Sequence, residues 1–438
     1  MTAEWRRPLA EALDALGIDR SPDELAVTGE LGHLPSRLAV EEIAIASIGA
    51  ALLAAGPAEL ATEHAAAAVR SEAHLRLDGR PPLDGFAPLS RFWRTSDGWV
   101  RTHGNYPWHR EALLRALGAT DDVEVEPAIA ELPALEAESR VVAAGGIAAA
   151  VRTPAQWRAE APGRAVDAQP LVGTRHVGGA APRRGRFRVL DLTRVIAGPV
   201  CTRFLAALGA DVLRIDPPHR PERPGSYDTL LGKRSAVLDA RTPEGLARLH
   251  DLLDGADVLV HGYRPGALER FGLGFDALAE RHPGLVVVSL SAWGNSGPWG
   301  ERRGFDSIAQ AATGIATIES TSDCPGALPC QLLDHATGYL CAAAALDGLR
   351  RQSERGGTWL RELSLARTAH WLLDQPRTEH PPLAVAVEPW LTSLNTPDGR
   401  ITTVTPPGRP NDQALSWPFL HPYGSAVPAW SREHFGLL

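Results

Sequence analysis

The feature that most limits the fold of this chain is the alternation of short apolar segments with helical ones across residues 187–375. The apolar segments RFRVLDL, DVLRID, SAVLDA, DVLVHG and LVVVSLSAWG are nearly continuous, as is typical of strands buried on both faces of a sheet. Helical segments such as PVCTRFLAALG, TPEGLARLHDLLDG and LGFDALAERHPG follow several of them. This β-α-β succession predicts the α/β class, with a doubly wound, mostly parallel and Rossmann-like sheet.

The other regions of the 438-residue chain differ in pattern, and the length alone predicts more than one domain. Residues 1–176 combine helical segments with a small α+β unit, whose hairpin is indicated by a turn at Asp97-Gly98. Residues 177–186, VGGAAPRRGR, are rich in glycine, proline and arginine and predict a linker. Residues 376–438 contain several prolines and the turn TPDGR, which predict a loop-rich segment with a short hairpin. No repeat of fixed period is evident.

Composition excludes several classes of protein. A net charge of −8 gives no attraction to nucleic acid or to an anionic membrane. The four cysteines have no CxxC or metal-ligand spacing, so we expect reduced thiols, a cytoplasmic location and no bound metal. The N-terminal segment is amphipathic, unlike a signal peptide, and the most apolar stretch, residues 44–55, is too short to span a bilayer and predicts a buried helix.

The turn after the first predicted strand argues against a dinucleotide cofactor. A G-x-G-x-x-G turn lets the backbone approach a pyrophosphate, but residues 193–199 read TRVIAGP, with one glycine and a proline. We therefore expect neither NAD nor FAD. The chain also contains no P-loop, no H-E-x-x-H and no G-x-S-x-G motif, so nucleotide-hydrolase, zinc-protease and serine-hydrolase functions have no support.

Residues 186–375 resemble the family III CoA-transferases, which include formyl-CoA transferase, carnitine CoA-transferase and α-methylacyl-CoA racemase. The resemblance is carried by VLDLTRVIAGPVCTRFLAALGADVLRID, GKRSAVLDARTPEGLARLHDLLDGADVLV, YRPGALERFGLGFDAL, GPWGERRGFDSIAQAATG and LLDHATGYLCAAAAL. SDGWVRTHGNYPWHREALLRALG and RTPAQWRAEAPGRAV resemble the start and end of the family's small domain, which in other members follows the CoA-binding sheet. The order is therefore permuted, or the chain is a fusion that retains unequal pieces of two copies, and the family's glycine-rich loop has no clear match.

The resemblance implies a CoA-transferase that moves CoA from an acyl-CoA thioester to a carboxylic acid. Asp334, in LLDHATG, matches the family's nucleophilic aspartate. A carboxylate near a helix N-terminus is expected to stay ionised, and it could form a mixed anhydride and then an aspartyl-CoA thioester. The alternative is an ordinary helix N-cap. The adjacent His335 is interpreted as structural, whereas Asp306 and Gln310 could face the site or serve in packing.

The same resemblance implies where CoA would bind. The turn after the first strand matches the family segment that lines CoA, a basic pair matches a contact near the ribose phosphate, and one aromatic and one further basic residue match additional contacts. Lys233 stands out because the other 43 of the 44 basic residues are arginine. The predicted CoA-binding residues are Arg194, Val195, Ile196, Ala197, Lys233, Arg234, Tyr263 and Arg270. Each could instead be a surface charge or a packing residue.

Two other functions stay open at this point. A racemase or isomerase of the same family would need a histidine after Gly304, where this chain has Phe305, which cannot move a proton. A catalytically inactive CoA-ester-binding partner subunit is the second alternative. Family members are homodimers, so we expect a homodimer in which residues 88–171 take the small-domain role beside Asp334. The aromatic residues there would form an interface or fill their own core, namely Phe92, Trp93, Trp99, Tyr106 and Trp108.

Overall fold

The computed structural model describes residues 4–82, 85–183, 186–377 and 380–431. The strands are β1 (Leu25–Thr28), β2 (Ala58–Ala61), β3 (Arg76–Leu77), β4 (Phe92–Arg94), β5 (Trp99–Thr102), β6 (Ala148–Ala150), β7 (Gly173–Val177), β8 (Arg188–Leu192), β9 (Asp211–Asp216), β10 (Arg234–Val237), β11 (Val258–His261), β12 (Val286–Ser291), β13 (Thr358–Ser364), β14 (Leu391–Thr396), β15 (Gly399–Val404) and β16 (Arg409–Pro410).

The helices are α1 (Arg6–Leu16), α2 (Val40–Ala55), α3 (Thr62–Ala68), α4 (Ser71–His74), α5 (Pro107–Leu117), α6 (Val125–Ala130), α7 (Ala134–Ala143), α8 (Pro154–Ala159), α9 (Ala161–Asp167), α10 (Ala197–Ala207), α11 (Pro243–Asp254), α12 (Phe275–Arg281), α13 (Asp306–Thr313), α14 (Ile315–Ile318), α15 (Leu332–Arg355) and α16 (Leu365–Leu373). No helix in the described ranges is both long enough and apolar enough to cross a membrane.

The main sheet has seven strands in the order β10-β9-β8-β11-β12-β13-β7. Its first six strands are parallel, and β7 pairs antiparallel with β13 at one edge. In chain order the parallel strands start at β8, run outward to β10, and then continue from β11 on the other side of β8. The order reverses between β8 and β11, and open α/β sheets bind ligands beyond the carboxyl ends of their strands at such a reversal.

Helices cover both faces of this sheet because its strands expose apolar side chains alternately on each side. Val189, Val258 and Val286 pack with α10 and α15 in one core, whereas Leu190 and Leu259 pack with α11 and α12 in another. Thr242 is the N-cap of α11, since its side chain accepts a hydrogen bond from a backbone N–H in the first turn. The predicted α/β class with a mostly parallel sheet is confirmed.

A smaller unit lies within residues 88–171. β4, β5 and β6 form an antiparallel sheet that α5, α6 and α7 cover, and the hairpin turn falls at Asp97-Gly98 as predicted. Trp93 is buried in the core of this unit and donates from Nε1 to the Thr102 hydroxyl at 2.7 Å. This aromatic residue therefore fills its own domain, in contrast to Tyr106 and Trp108, which line a cavity.

The flanking segments pack onto the main domain. The predicted buried helix is α2, which packs directly against α15. Residues 173–177 form β7, so the predicted linker at 177–186 begins at the last residue of a strand that belongs to the main sheet, and its residues 184–185 lie outside the described part. The predicted C-terminal hairpin is β14–β15, and residues 378–379 and 432–438 of that segment lie outside the description.

Candidate active site

A cavity of about 520 Å³ opens at the carboxyl ends of the parallel strands, where the strand order reverses. The loops that follow β8, β9, β10, β11 and β12 form most of its wall. Tyr106, Trp108, His109 and Ile147 of the smaller unit form the remaining side. The same chain therefore supplies both walls, and the predicted position of residues 88–171 beside Asp334 is realised within one chain.

Asp334 lies on the wall of this cavity, in the first turn of α15. Its exposed fraction is 6%, so its carboxyl is nearly buried but open to the cavity. Among the described residues, no side chain or backbone group donates a hydrogen bond to this carboxyl, and the N-cap of α15 is Gln331. Asp334 is therefore not a helix cap, which was the alternative interpretation of its position.

Asp306 supplies the cap instead. Its Oδ2 accepts the backbone N–H of Asp334 at 3.0 Å, and its Oδ1 accepts from Gln310 Nε2 at 2.5 Å. Gln310 in turn accepts the backbone N–H of Leu328 at 2.9 Å. Asp306 and Gln310 are both buried, and they hold the start of α15 and the segment before it. The packing interpretation of these two residues therefore describes their positions.

The two carboxyl groups do not titrate like exposed aspartates. Burial, together with the negative charges of Asp306 and Glu72, raises the pKa of Asp334 well above its usual range. Burial also raises the pKa of Asp306 to about 6, although hydrogen bonds from Asp334 and Gln310 oppose the shift. The helix N-terminus does not offset this shift, because Asp306 accepts the backbone N–H of Asp334 and burial raises the pKa of the Asp334 carboxyl.

His335 points away from the cavity. Its imidazole is fully buried, and its Nε2 lies 2.9 Å from Oε2 of Glu72 in α4. This placement agrees with the structural interpretation, since successive residues of a helix face different directions.

Five of the predicted CoA-binding residues are on the cavity wall, namely Arg194, Val195, Ala197, Tyr263 and Arg270. The neighbouring Ile196 is not on the wall but packs against the core of the main domain. Val195 adopts φ of +69°, which is a strained conformation for a β-branched residue, and its N–H donates to Glu222 Oε2 at 3.2 Å. Strained backbone of this kind concentrates at functional sites.

Lys233 and Arg234 do not reach the cavity. The Lys233 ammonium is fully buried and donates to Asp191 Oδ2 at 2.9 Å and to the carbonyl of Pro199 at 3.2 Å. Arg234 binds Asp211 at 2.7 Å and also donates to the carbonyl of Ala429. The prediction that this pair binds a phosphate does not fit the geometry, because both cations point into the protein and already have partners.

Other cations, which the sequence did not single out, surround the cavity instead. They lie in the loops after the strands, and their positive charges suit the cavity to an anionic ligand. The additional arginines on the cavity wall are Arg220, Arg241, Arg264, Arg302 and Arg303. Three have aromatic or acidic neighbours: the Arg220 guanidinium lies 4.3 Å from the Trp108 ring centre, Arg241 pairs with Asp239 at 2.7 Å, and Arg302 pairs with Glu138 at 3.1 Å.

A buried hydrogen bond joins the two walls. The Tyr106 hydroxyl donates to Glu222 Oε1 at 2.5 Å, and Arg214 donates to the other oxygen at 3.1 Å. Burial opposes ionisation of Glu222, but Arg214 and Arg194 outweigh it and lower the pKa of this carboxyl to about 2. The resulting carboxylate fixes the smaller unit against the loops that follow β8 and β9.

Phe305 and His109 also lie on the cavity wall. Phe305 stacks on the buried His103 ring at a centroid distance of 3.8 Å, and so supplies an apolar wall. Burial and the charges of Arg303, Arg220 and Arg194 lower the pKa of His109 to about 3, so its imidazole is neutral at pH 7. No sequence motif pointed to His109, because this residue belongs to the smaller unit on the other side of the cavity.

Comparison with known proteins agrees with this geometry. The family model described as CoA-transferase family III matches residues 186–389. A Mycobacterium tuberculosis protein named "Probable fatty acyl-CoA transferase" is 36% identical over 185 residues, 39% of this chain and 47% of the relative. An acyl-CoA transferase of Gibberella moniliformis is 30% identical over 303 residues, 61% and 53% respectively. A formyl-CoA:oxalate CoA-transferase of Rhodopseudomonas palustris is 33% identical over 217 residues, 45% and 50%.

The matched region contains the six parallel strands of the main sheet, the predicted nucleophile and most of the cavity wall. Residues 186–389 match the model of CoA-transferase family III, and the relatives that they resemble are named as CoA-transferases. The chain spans about half the length of the curated relatives that it matches.

Proposed function

We propose that this chain is a CoA-transferase that moves CoA between an acyl-CoA thioester and a carboxylic acid, with Asp334 as the covalent nucleophile. The observation that carries the proposal is the Asp334 carboxyl itself. It has no donor partner in the described residues and opens into an arginine-lined cavity at the strand reversal of a Rossmann-like sheet. The match of this region to the family model supports the same chemistry.

The reaction would proceed through two covalent intermediates, a mixed anhydride and an aspartyl-CoA thioester. An oxygen of ionised Asp334 attacks the thioester carbonyl, the C–S bond breaks, and the electron pair leaves with the CoA thiolate, which gives a mixed anhydride. The thiolate then attacks the Asp334 carbonyl and releases the first carboxylic acid as its anion. This leaves an aspartyl-CoA thioester. An incoming carboxylate repeats the two steps in reverse order, and its acyl-CoA leaves while the Asp334 carboxylate is regenerated.

Burial of Asp334 favours the covalent step. Desolvation and the nearby Asp306 raise the free energy of the Asp334 carboxylate, as its raised pKa shows. Both covalent adducts are neutral at that position, so their formation removes the unfavourable charge. The same environment requires the carboxyl to lose its proton first, and transfer should therefore slow at acidic pH.

The cations of the cavity would bind the phosphates of CoA. Arg194, Arg270 and Tyr263 are the wall residues that also match the family's CoA contacts, whereas Arg220 and Arg241 add charge from the neighbouring loops. Guanidinium groups bind phosphate through charge-assisted and often bidentate hydrogen bonds. A homodimer and a cytoplasmic location stay predictions. The identity of the acyl donor and acceptor would be determined by a screen of acyl-CoA thioesters against carboxylic acids.

The nucleophile can be tested by trapping. The protein is incubated with acetyl-, succinyl- and longer acyl-CoA thioesters, quenched with hydroxylamine, digested and analysed by mass spectrometry. We expect a hydroxamate on the peptide that contains Asp334, and we expect its loss, together with at least a hundredfold loss of transfer, in Asp334→Asn. CoA affinity should change only a few-fold.

Each alternative function gives a different result in this experiment. A CoA-ester-binding subunit would bind CoA and yield no adduct with any thioester. An isomerase would yield no adduct but would exchange the substrate α-proton with deuterium from the solvent, although Phe305 leaves the expected histidine position without a base.

A further inference from the structure

Two helical segments of this chain resemble each other in sequence and in place. Residues 32–52, GHLPSRLAVEEIAIASIGAAL, align without gaps with residues 326–346, GALPCQLLDHATGYLCAAAAL. They share the pattern G-x-L-P-x-x-L at the start and A-A-L at the end. Each contains the beginning of a buried helix, α2 and α15, and these two helices pack against each other along their lengths.

The elements after these helices correspond as well. β2 runs directly into α3, as β13 runs directly into α16, and both strands end with Glu-Leu and one further residue. β2 pairs parallel with the strand before its helix, β1, and β13 pairs parallel with β12. Later in each half an antiparallel hairpin turns at T-x-D-G, at residues 95–98 in β4–β5 and at 396–399 in β14–β15. The spacing differs from pair to pair, which is why no fixed period is visible.

The two sets of elements exchange their hairpin regions. β5 and β6 of the first set pack on α13 of the second, and α9 packs on α16. In return β15 of the second set pairs with β3 and packs on α4 of the first, and β16 pairs with β2. Each set therefore places its hairpin region on the helices of the other, which is the arrangement expected of two subunits that interlock.

We propose that this chain is a pseudo-dimer: residues 25–171 and 186–410 are two unequal copies of one unit, and together they form a single active site without a second chain. In this inference, the chemistry of the site rests on the proposed function. The number of sites, and the chain that supplies each wall, do not depend on it.

The position that corresponds to the active site in the first copy cannot catalyse transfer. Val40 aligns with Asp334, so the nucleophile is missing. Val40 is fully buried, and the neighbouring Glu41 carboxylate accepts the backbone N–H groups of Gly32 and His33 at 2.8 and 2.9 Å. The pocket that Gly32, Glu41 and His380 line in this region has a volume of about 20 Å³, against about 520 Å³ at Asp334, which leaves no room for CoA.

The active site of the second copy is completed in the same chain. Tyr106, Trp108 and His109 of the first copy lie on the wall opposite the Arg194 and Asp334 side of the cavity. In an interlocked homodimer, a partner subunit would supply these wall residues. Here both walls come from one chain, and the cavity does not require a second chain.

The arrangement can be tested by cross-linking without any activity. Arg158 of the first copy and Asp374 of the second form an ion pair at 2.5 Å, both side chains are partly exposed, and neither lines the cavity. The double variant Arg158→Cys, Asp374→Cys is made in a Cys324→Ser background, because Cys324 is the exposed native cysteine. A short bis-maleimide is added in dilute solution, the products are separated on a denaturing gel, and the single variant Arg158→Cys is the matched control. CoA binding to the wild-type chain is measured by calorimetry.

We expect the double variant to cross-link within one chain, so that its mass on the gel stays that of one chain and a tryptic digest links the two peptides. We also expect one CoA per chain. Covalent dimers formed only by the double variant, or two CoA per chain, would overturn the pseudo-dimer. A cross-link within one chain together with no CoA binding would support the arrangement of the two copies and would refute the proposed function.

Discussion

Lys233→Met separates a structural role for this lysine from a phosphate-binding one. The Lys233 ammonium and the Asp191 carboxylate are both fully buried, 2.9 Å apart. The substitution would leave Asp191 with three donors, the backbone N–H and hydroxyl of Thr193 and the hydroxyl of Thr202, but without its cation. Breaking a buried ion pair by removing one partner costs about 3–5 kcal/mol, and the three donors place the expected loss near the lower end.

The assay is urea unfolding followed by tryptophan fluorescence, with calorimetry of CoA and of 3′-dephospho-CoA in parallel. We expect the free energy of unfolding to fall by about 3 kcal/mol, while the ratio of the two affinities stays unchanged. The double variant Lys233→Met, Asp191→Asn removes both charges and should recover most of the stability. A stable Lys233→Met protein that loses affinity for CoA at least tenfold more than for dephospho-CoA would refute this reasoning.

Two further predictions concern the cavity. The pKa of Asp306 is raised to about 6, so the folded state holds this proton more tightly than the unfolded one, and the stability that it contributes is present below about pH 4 and lost as the pH rises through 6. In urea titrations, the stability of Asp306→Asn should therefore rise relative to wild type as the pH increases from 4 to 6. The fall of the transfer rate at acidic pH should also move to lower pH in this variant, because the like charge beside Asp334 is gone. An unchanged pH profile of transfer would contradict the coupling between the two carboxyls. Arg270→Ala should weaken CoA by about tenfold, the equivalent of one charge-assisted hydrogen bond, whereas Arg248→Ala, outside the cavity, should leave affinity unchanged by calorimetry.

The sequence was sufficient to predict the class of the sheet, whereas the catalytic role of Asp334 stays a prediction. Nearly continuous apolar strands can form only where both faces are covered, so the α/β class followed from the pattern. The family resemblance implied that the loop after β8 lines the CoA site, and Arg194 and Ala197 of this loop lie on the cavity wall. Their role in CoA binding stays a prediction.

The direction of individual side chains could not be read in the same way. Lys233 and Arg220 both lie in the segment between β9 and β10, yet only Arg220 reaches the cavity. The difference arises because Asp191 lies inside the domain, within reach of Lys233, and a buried carboxylate requires a cation. The sequence pattern could not predict His109 and Trp108 as cavity residues for another reason. They reach the cavity through contacts between regions far apart in the chain, which a local pattern does not contain.

The same contacts decide which of two neighbouring carboxyls can be the nucleophile. Asp306 and Asp334 are both buried and near each other, and both have raised pKa values. Both Asp306 oxygens already accept hydrogen bonds, its side chain has no exposed surface, and attack by it would break the cap of α15. Asp334 has an open path to the cavity and no donor to give up. In the proposed reaction, Asp306 would therefore act only through Asp334, by holding its backbone and opposing its ionisation, and we expect an Asp306→Asn chain still to carry its covalent adduct on Asp334.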